Sequence, residues 1–539
     1  MNKKLLLVLI VGIAFISLFF NVYKKSSSPV CLNADEAAFG YNAYSLLKTG
    51  RDEYGTTLPL RLKSFGDYKM PLYSYLSIPF IKIFSLNENS TRALNDLLAL
   101  LLPVTIFFLT KELFEKNSVA LLTAFLIAVS LGLHLIGRQA HESYLAVFLL
   151  TLSSLFFIKT LKKTTFLNTV VFCLLILLSL FSYQSSRIFA VFFLVFAILY
   201  AFQIWHTPVK KSLLKFIGIF LIVIAIFGVT DLIYKPSRVT NLLFFNNIGF
   251  TLKINELRSE GGPRLLYNKL TVGTKEVVSQ YLAYFSPEFL VTQGDTNPRF
   301  GFPGMSPVTP LEYLFIGIGF YYLFKNNARW KYFLLGLLLV SPLPAASTWN
   351  GTSLTRSLFI IIPILIIGSY GGINLIISLK TMPTAKKALI YCLVLIELFF
   401  LFYSWDFYLN HYPKRALVIR SWQCGYKELA DYIGGNYGGF NKFYITKKNG
   451  EPYIFLLFYL KNPPTQYQKQ ARLTAPDEFG FGQVEQFDKF NFNFSFDPKR
   501  KRVVYIGYPD DFTGIKIDSS KIKKIKVGTE EIFWIYKVI

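Results

Sequence analysis

Residues 1–50 read MNKKLLLVLIVGIAFISLFFNVYKKSSSPVCLNADEAAFGYNAYSLLKTG, and their reading governs the rest of the chain. Two lysines, Lys3 and Lys4, open the stretch, and no further charge appears until Lys24. A membrane span takes roughly 17–25 mostly apolar residues, and this run is long enough. A basic start with an apolar middle also fits a secretory leader. No small-x-small cleavage site precedes Ser26-Ser27-Ser28, and many apolar runs follow, so the run reads as a retained first helix. Beyond it, Asn33-Ala34-Asp35-Glu36 places acids at the start of a second helix. Asn33 or Asp35 would cap that helix.

The composition agrees with a membrane chain. Of 539 residues, 53% are apolar and 17% charged, and the mean hydropathy is +0.41. Soluble proteins carry more charge and fewer long apolar runs. The 54 Phe and 33 Tyr suit lipid-facing surfaces and interfacial belts. A net charge of +25 would point to nucleic acid in a soluble protein. Here the lysines concentrate in short loops between apolar runs, so topology explains them and no nucleic-acid partner is implied. Cys31, Cys173, Cys392 and Cys424 show no CxxC spacing, which removes the usual zinc and redox motifs. Cys31 and Cys424 fall on the same side of the membrane, where a pairing between them stays open.

Apolar runs near 4–22, 92–110, 118–135, 142–158, 166–182, 187–204, 212–230, 309–324, 328–344, 355–377 and 387–405 predict about eleven spans. The run at 71–86 carries Pro71, Pro79 and Lys82 and reads as an interfacial or re-entrant helix. Lys3/Lys4, Lys111/Lys116, Lys159/Lys162/Lys163, Lys210/Lys211/Lys215, Lys325/Arg329/Lys331 and Lys380/Lys386/Lys387 then fall on one side. Positive-inside bias makes that side cytoplasmic. Long loops at 23–91 and 231–308 and the C-terminus would lie outside a cell membrane. The tail from 406 to 539 changes character: YKELADYI reads as helix, NKFYIT, VVYIGY and EEIFWIYKVI as strands, and EPYIFLLFYL as either. The expected fold is an all-α polytopic domain over 1–405 followed by a small α/β domain over 406–539.

Candidate chemistry lies on the outer side. Asp35 and Glu36 have an ordinary role in capping and in meeting the helix dipole. The functional reading makes one of them a general base within reach of a hydroxyl. Asp67 and Lys69 precede Met70-Pro71, where a turn before a helix competes with a site for an anionic ligand. Three short outer loops each carry one Arg and no Lys: Arg138, Arg187 and Arg356. A planar guanidinium suits phosphate oxygens, and together the three suggest a lipid-linked phosphate. The plain alternative pairs each with a carboxylate, as Arg138 with Glu142, and Arg92 with Asp96, at i,i+4. Tyr183, Gln184 and Ser186 add donors beside Arg187. Within the second long loop and at its end, Arg299 and Glu312 are polar candidates. His134 and His141 share a loop, and His141 or Glu36 could join other acids on a divalent metal, although no HExxH or facial-triad spacing appears. No P-loop, GxGxxG or GxSxG motif stands in a usable context.

The order of a first span, DEAAFGYNAYSLLKTG, DYKMPLYSYLSIPF and RALNDL resembles membrane glycosyltransferases of the GT-C fold. The resemblance is to bacterial members of glycosyltransferase family 39, the protein O-mannosyltransferase group, and to the lipid A aminoarabinose transferase. Its specific motifs lie mainly in residues 33–95; RQAHESYLAVF, YQSSR and LTRSL are also similar. It implies transfer of a sugar from a polyprenyl-phosphate donor, outside the membrane, to a protein, glycolipid or cell-wall glycan. It also implies Asp35 as base, Glu36 as a supporting or metal-contacting acid, and Asp67 as a second acid in a differing context. Lys69 and Pro71 match a Lys-Pro-Pro segment in which Met70 replaces the first Pro. Arg138, Arg187 and Arg356 would join Lys69 on the donor phosphate. No cofactor is certain from the resemblance; a divalent metal is possible. Two other classes stand beside this one. A transporter or flippase would need charges buried mid-span, where these spans are nearly uncharged. A non-catalytic scaffold would tolerate loss of Asp35, Lys69 and Arg187 together.

Overall fold

The computed structural model describes residues 2–65, 67–203, 210–234, 245, 247–348, 351–379, 384–475 and 484–539. In chain order the first half forms α1 (Lys3–Val22), α2 (Ala34–Thr49), β1 (Leu62–Ser64), β2 (Asp67–Lys69), α3 (Leu72–Phe84) and α4 (Glu88–Phe114). Next come α5 (Asn117–Val129), α6 (Leu131–Gly137), α7 (Glu142–Lys162), α8 (Phe166–Leu180), α9 (Ser186–Gln203) and α10 (Lys210–Tyr234). Two compact units result, and they do not follow chain order. The helical unit comprises Met1–Tyr23, Asn95–Lys235 and Val239–Tyr408. In the other, Lys24–Leu94 folds together with Leu409–Ile539.

Among the described residues, seven helices are long and apolar enough to cross a bilayer. These are α1, α4, α7, α9, Lys211–Thr230, Leu354–Leu379 and Lys387–Lys414. An eighth span arises if α5 and α6, bent by 52° at Ser130, are taken as one. The expectation of eleven is thereby reduced on length. The runs at 166–182, 309–324 and 328–344 are helical, but over 15, 16 and 10 residues (Phe166–Leu180, Pro310–Lys325 and Lys331–Val340). At 1.5 Å per residue these reach at most about 24 Å, short of a hydrocarbon core of about 30 Å. The helix α3 has 13 residues with Pro79 inside and is too short to span.

Apolar packing without water to drive it needs close backbones. Pro310–Lys325 and Ile361–Leu379 achieve this through Gly319 and Gly371. A Cβ on Gly319 would stand 2.2 Å from the Ile367 carbonyl oxygen, and one on Gly371 would stand 2.5 Å from the Gly319 nitrogen. The spans expected to be nearly uncharged include Glu397 in the last long helix, where its carboxylate accepts the Thr309 hydroxyl at 2.7 Å.

The second unit is built on a seven-stranded mixed sheet. Its strands are β3 (Lys442–Ile445), β4 (Arg472–Leu473), β5 (Val484–Phe487), β6 (Phe490–Asn491), β7 (Val503–Gly507), β8 (Lys523–Val527) and β9 (Glu530–Val538). Their order is β4-β5-β6-β3-β7-β9-β8. Only the pairs of β3 with β6 and with β7 are parallel. The ambiguous EPYIFLLFYL is a helix, Pro452–Tyr459, with Tyr453 to Phe458 all buried. That burial on every side explains why its sequence lacks a helical stripe. The α2 helix lies against it at Gly40, where a Cβ would meet Phe458 at 2.7 Å and the Thr91 hydroxyl at 2.6 Å. A disulfide between Cys31 and Cys424 joins the two chain segments of this unit, 393 residues apart in sequence.

Candidate active site

The N-terminus of α2 organises the acidic motif. The Asn33 side chain accepts the Glu36 N–H at 3.1 Å, and the Glu36 carboxylate accepts the Asn33 N–H at 3.2 Å, a closed capping box. Glu36 is also buried against Arg92, with Nε and Nη2 donating to its two oxygens at 2.7 and 2.8 Å. The second nitrogen also donates to the Cys31 carbonyl at 2.8 Å. This corrects the expected Arg92–Asp96 pair. Asp96 instead accepts the Asn21 amide at 2.8 Å. Both Glu36 oxygens are taken by protein donors, so Glu36 acts here as a structural anchor rather than an open ligand.

Asp35 is the neighbour left facing outward, with its side chain 41% exposed. The Lys69 ammonium donates to Oδ1 at 2.6 Å and is itself only 10% exposed. The ammonium sits 5.0 Å from the Phe39 ring centre and 4.6 Å from that of Phe65. Cation–π attraction and the β1–β2 hairpin hold it there. An accessible carboxylate is thus aimed by a buried cation, on a helix whose dipole favours negative charge at this end. Asp67 heads β2 and pairs with Ser64 in the hairpin; its side chain lies outside the described residues.

Glu53, whose carboxyl feels the charge of the same lysine, has no advance signal beyond its acidity. It is buried, takes the Tyr453 hydroxyl at 3.1 Å and the Asn42 amide at 3.3 Å, and its own N–H donates to Asn42. Burial foremost pushes its carboxyl up to about 8. The Tyr453 hydrogen bond pulls it down, the Asp52 charge pushes it up and the Lys69 charge pulls it down.

The remaining candidates belong to the helical unit. Arg138 is fully buried, donates to the carbonyls of Phe20 and Tyr23 and covers the Tyr408 ring at 5.4 Å. It finishes the open carbonyl end of α1 and is not paired with Glu142 as the spacing suggested. His141 caps α7 by accepting the Ser143 N–H at 3.1 Å, and its Nδ1 is 3.8 Å from Glu142. Its ring meets those of Tyr183 and Phe300 at 6.1 and 5.5 Å. Arg356 donates to the Thr348 hydroxyl at 2.7 Å. Its charge reaches Asp295, as does that of Arg299. Asp295 accepts the N–H groups of Leu354 and Asn297 at 2.6 and 2.7 Å, and burial foremost pushes its carboxyl up to about 6. Tyr284 feels Asp295, Arg356 and Tyr183. The expected residues His141, Tyr183 and Arg356 therefore belong to one electrostatic neighbourhood whose acid, Asp295, was not anticipated. Arg187 lies 5.5 Å over the Phe227 ring, and Gln184 accepts the Arg187 N–H through its carbonyl. Among the described residues no three His, Cys, Asp or Glu side chains are grouped to hold a metal ion.

Residues 7–244 match the family described as dolichyl-phosphate-mannose-protein mannosyltransferase. Over that stretch, less than half of the chain, the sequence is similar to this family. The matched stretch contains Asp35, Glu36, Lys69, Arg138 and Arg187 and ends before Arg356. The fold is that of ArnT from Cupriavidus metallidurans, a GT-C structure. In its apo state the TM-score is 0.51 at 10% identity, over 98% of this chain and 97% of that one. Bound to undecaprenyl phosphate, ArnT aligns with a TM-score of 0.50 at 11% identity, over 99% and 98%. The oligosaccharyltransferase AglB from Archaeoglobus fulgidus, solved with an inhibitory peptide and a dolichol-phosphate, aligns with a TM-score of 0.50 at 15% identity. That alignment covers 85% of this chain and 64% of the archaeal one. At such identities the likeness is one of fold. No curated protein sequence matches the chain.

Proposed function

We propose that the chain transfers a sugar, with inversion, from a polyprenyl-phosphate donor to an acceptor hydroxyl at the outer face of the membrane. The observation that carries this reading is the Asp35–Lys69 pair: an accessible carboxylate held by a shielded ammonium on a doubly anchored helix start. In the reaction Asp35 takes the acceptor proton as the acceptor oxygen bonds to the anomeric carbon. The bond from that carbon to the phosphate oxygen breaks, and polyprenyl phosphate leaves already ionised, so no strong general acid is needed. Lys69 orients Asp35 and offers positive charge to the donor phosphate. Arg356 and Arg299 in the helical unit are separate candidates for the same anion.

The family match supports the reaction class, and the whole-length fold likeness to ArnT supports a lipid-linked donor. The Cys31–Cys424 disulfide supports the outward placement of the second unit, since such bonds persist in oxidising compartments. The acceptor class is protein, glycolipid or cell-wall glycan. The test is turnover of polyprenyl-phosphate sugars by the purified protein in bilayer nanodiscs. Asp35→Asn should lower kcat by at least about 100-fold, the usual weight of a general base, with an unchanged melting point. Wild-type turnover by that variant would sink the base assignment.

A further inference from the structure

One loop gathers Arg299, His141 and Arg356 in the helical unit, and a single carboxylate fastens it. Residues 295–301 read DTNPRFG. Asp295 Oδ1 accepts the Asn297 N–H at 2.7 Å, and Asn297 Oδ1 accepts the Arg299 N–H at 3.0 Å, two successive Asx turns. Gly301 closes back on the first of them, since a Cβ there would run into the Asp295 backbone. At its far end the turn meets the loop before α7. The Arg299 carbonyl accepts the Gln139 amide at 3.4 Å, and the Phe300 ring meets that of His141.

The near end is tied to the segment that carries Arg356. The Leu354 N–H donates to Asp295 Oδ2 at 2.6 Å. The Thr296 N–H and hydroxyl both donate to the Thr352 carbonyl, at 3.3 and 3.2 Å, and the Ser353 N–H donates to the Tyr284 phenol at 2.9 Å. Leu354 opens the short helix Leu354–Ser357, and Ser353 before it makes no side-chain cap of its own. Asp295 supplies the missing acceptor from 59 positions away. Arg356, two residues on, is steadied at its tip by the Thr348 hydroxyl at 2.7 Å. We propose that Asp295 is a positioning residue, which fixes the segment carrying Arg356 so that its guanidinium meets an anionic ligand, a lipid-linked phosphate. The proposal rests on the reading of Arg356 as a donor-phosphate contact. The Asp295 carboxylate is buried, and its two oxygens each take a backbone N–H from a different segment. A guanidinium fork makes its two-point contact with phosphate at one orientation, so the backbone beneath it must be held from turning.

The experiment measures binding of undecaprenyl phosphate to the full chain in nanodiscs for wild type, Asp295→Ala, Arg356→Ala and the double variant. Arg356→Ala should bind roughly tenfold more weakly, the weight of a lost charge-assisted hydrogen bond. Asp295→Ala should lose a similar factor. By charge alone, removing an acid beside this segment would strengthen anion binding, so a weakened affinity marks position and not charge. The double variant should bind no more weakly than Arg356→Ala, because a residue that acts through Arg356 then has nothing left to place. Two losses that multiply would overturn the role of Asp295 and leave the donor reading standing. So would an Asp295→Ala affinity at or above wild type while Arg356→Ala is weak. If Arg356→Ala binds like wild type, the donor reading at Arg356 fails, and this proposal with it; turnover that still depends on Asp35 would keep the reaction itself. Absence of binding by wild type would overturn both readings of the lipid site. Should Asp295→Ala not fold, Asp295→Asn takes its place in the cycle. Its one amide oxygen replaces two acceptors, so it should show the same loss in smaller measure, and wild-type affinity would overturn the proposal.

Discussion

At the scale of single residues, neighbouring acids in one motif take different jobs because of what each meets. Glu36 turns inward and meets a guanidinium with both oxygens. Asp35, one position earlier, turns outward and meets one ammonium. Removing one partner of a buried ion pair strands the other charge and costs about 3–5 kcal/mol. Arg92→Ala should therefore lower the melting point markedly in detergent, where Asp35→Asn should not. Glu53 makes a second prediction at this scale. Its carboxyl titrates at about 8 in the folded chain against an ordinary value near 4.5. The fold prefers the neutral form, so its stabilising contribution is complete below about pH 4.5 and is lost as pH rises through 8. The melting point of wild type relative to Glu53→Gln should decline across that window; a constant difference would contradict the burial assignment. The acidity and spacing of Asp35 were legible in the chain. The roles of Glu53 and Asp295 were not, because their partners Tyr453 and Leu354 lie 400 and 59 positions away.

At the scale of elements, α2 is the piece on which the site depends. Its cap is local and was readable from Asn33 and Glu36, since a capping box spans only four residues. Its depth is not local. Gly40 lets α2 approach Thr91 and the buried helix Pro452–Tyr459 with no room for a Cβ. Gly40→Val should force that contact apart, cost roughly 1–3 kcal/mol as overpacking does, and reduce turnover together with stability in a thermal and activity screen. The shorter apolar helices teach the same lesson. Hydropathy at 166–182, 309–324 and 328–344 matched that of a span, yet Phe166–Leu180, Pro310–Lys325 and Lys331–Val340 stop early. Helix ends depend on local hydrogen bonding and turns that an apolar count does not register.

At the scale of the whole molecule, chain order and compactness part company. The loop after the first helix folds with the C-terminal sheet segment, and the Cys31–Cys424 bond ties them. Cys31→Ser or reduction should lower stability by about 2–5 kcal/mol, as loss of a native disulfide does. Melting curves with and without reductant on wild type and on the variant would check it, and a reductant effect that persists in Cys31→Ser would contradict the assignment. The membrane character, the acidic motif at a helix start and the family resemblance follow from the sequence alone. Long apolar runs and short capping motifs are local patterns, and their physics acts over a few turns. Tertiary structure decided which acid is exposed beside an ammonium and which is buried against a guanidinium, which arginine closes the end of α1, and that the first loop folds with the C-terminal sheet. Each of those outcomes rests on contacts between distant segments, where burial and charge pairing depend on what the fold brings beside each residue.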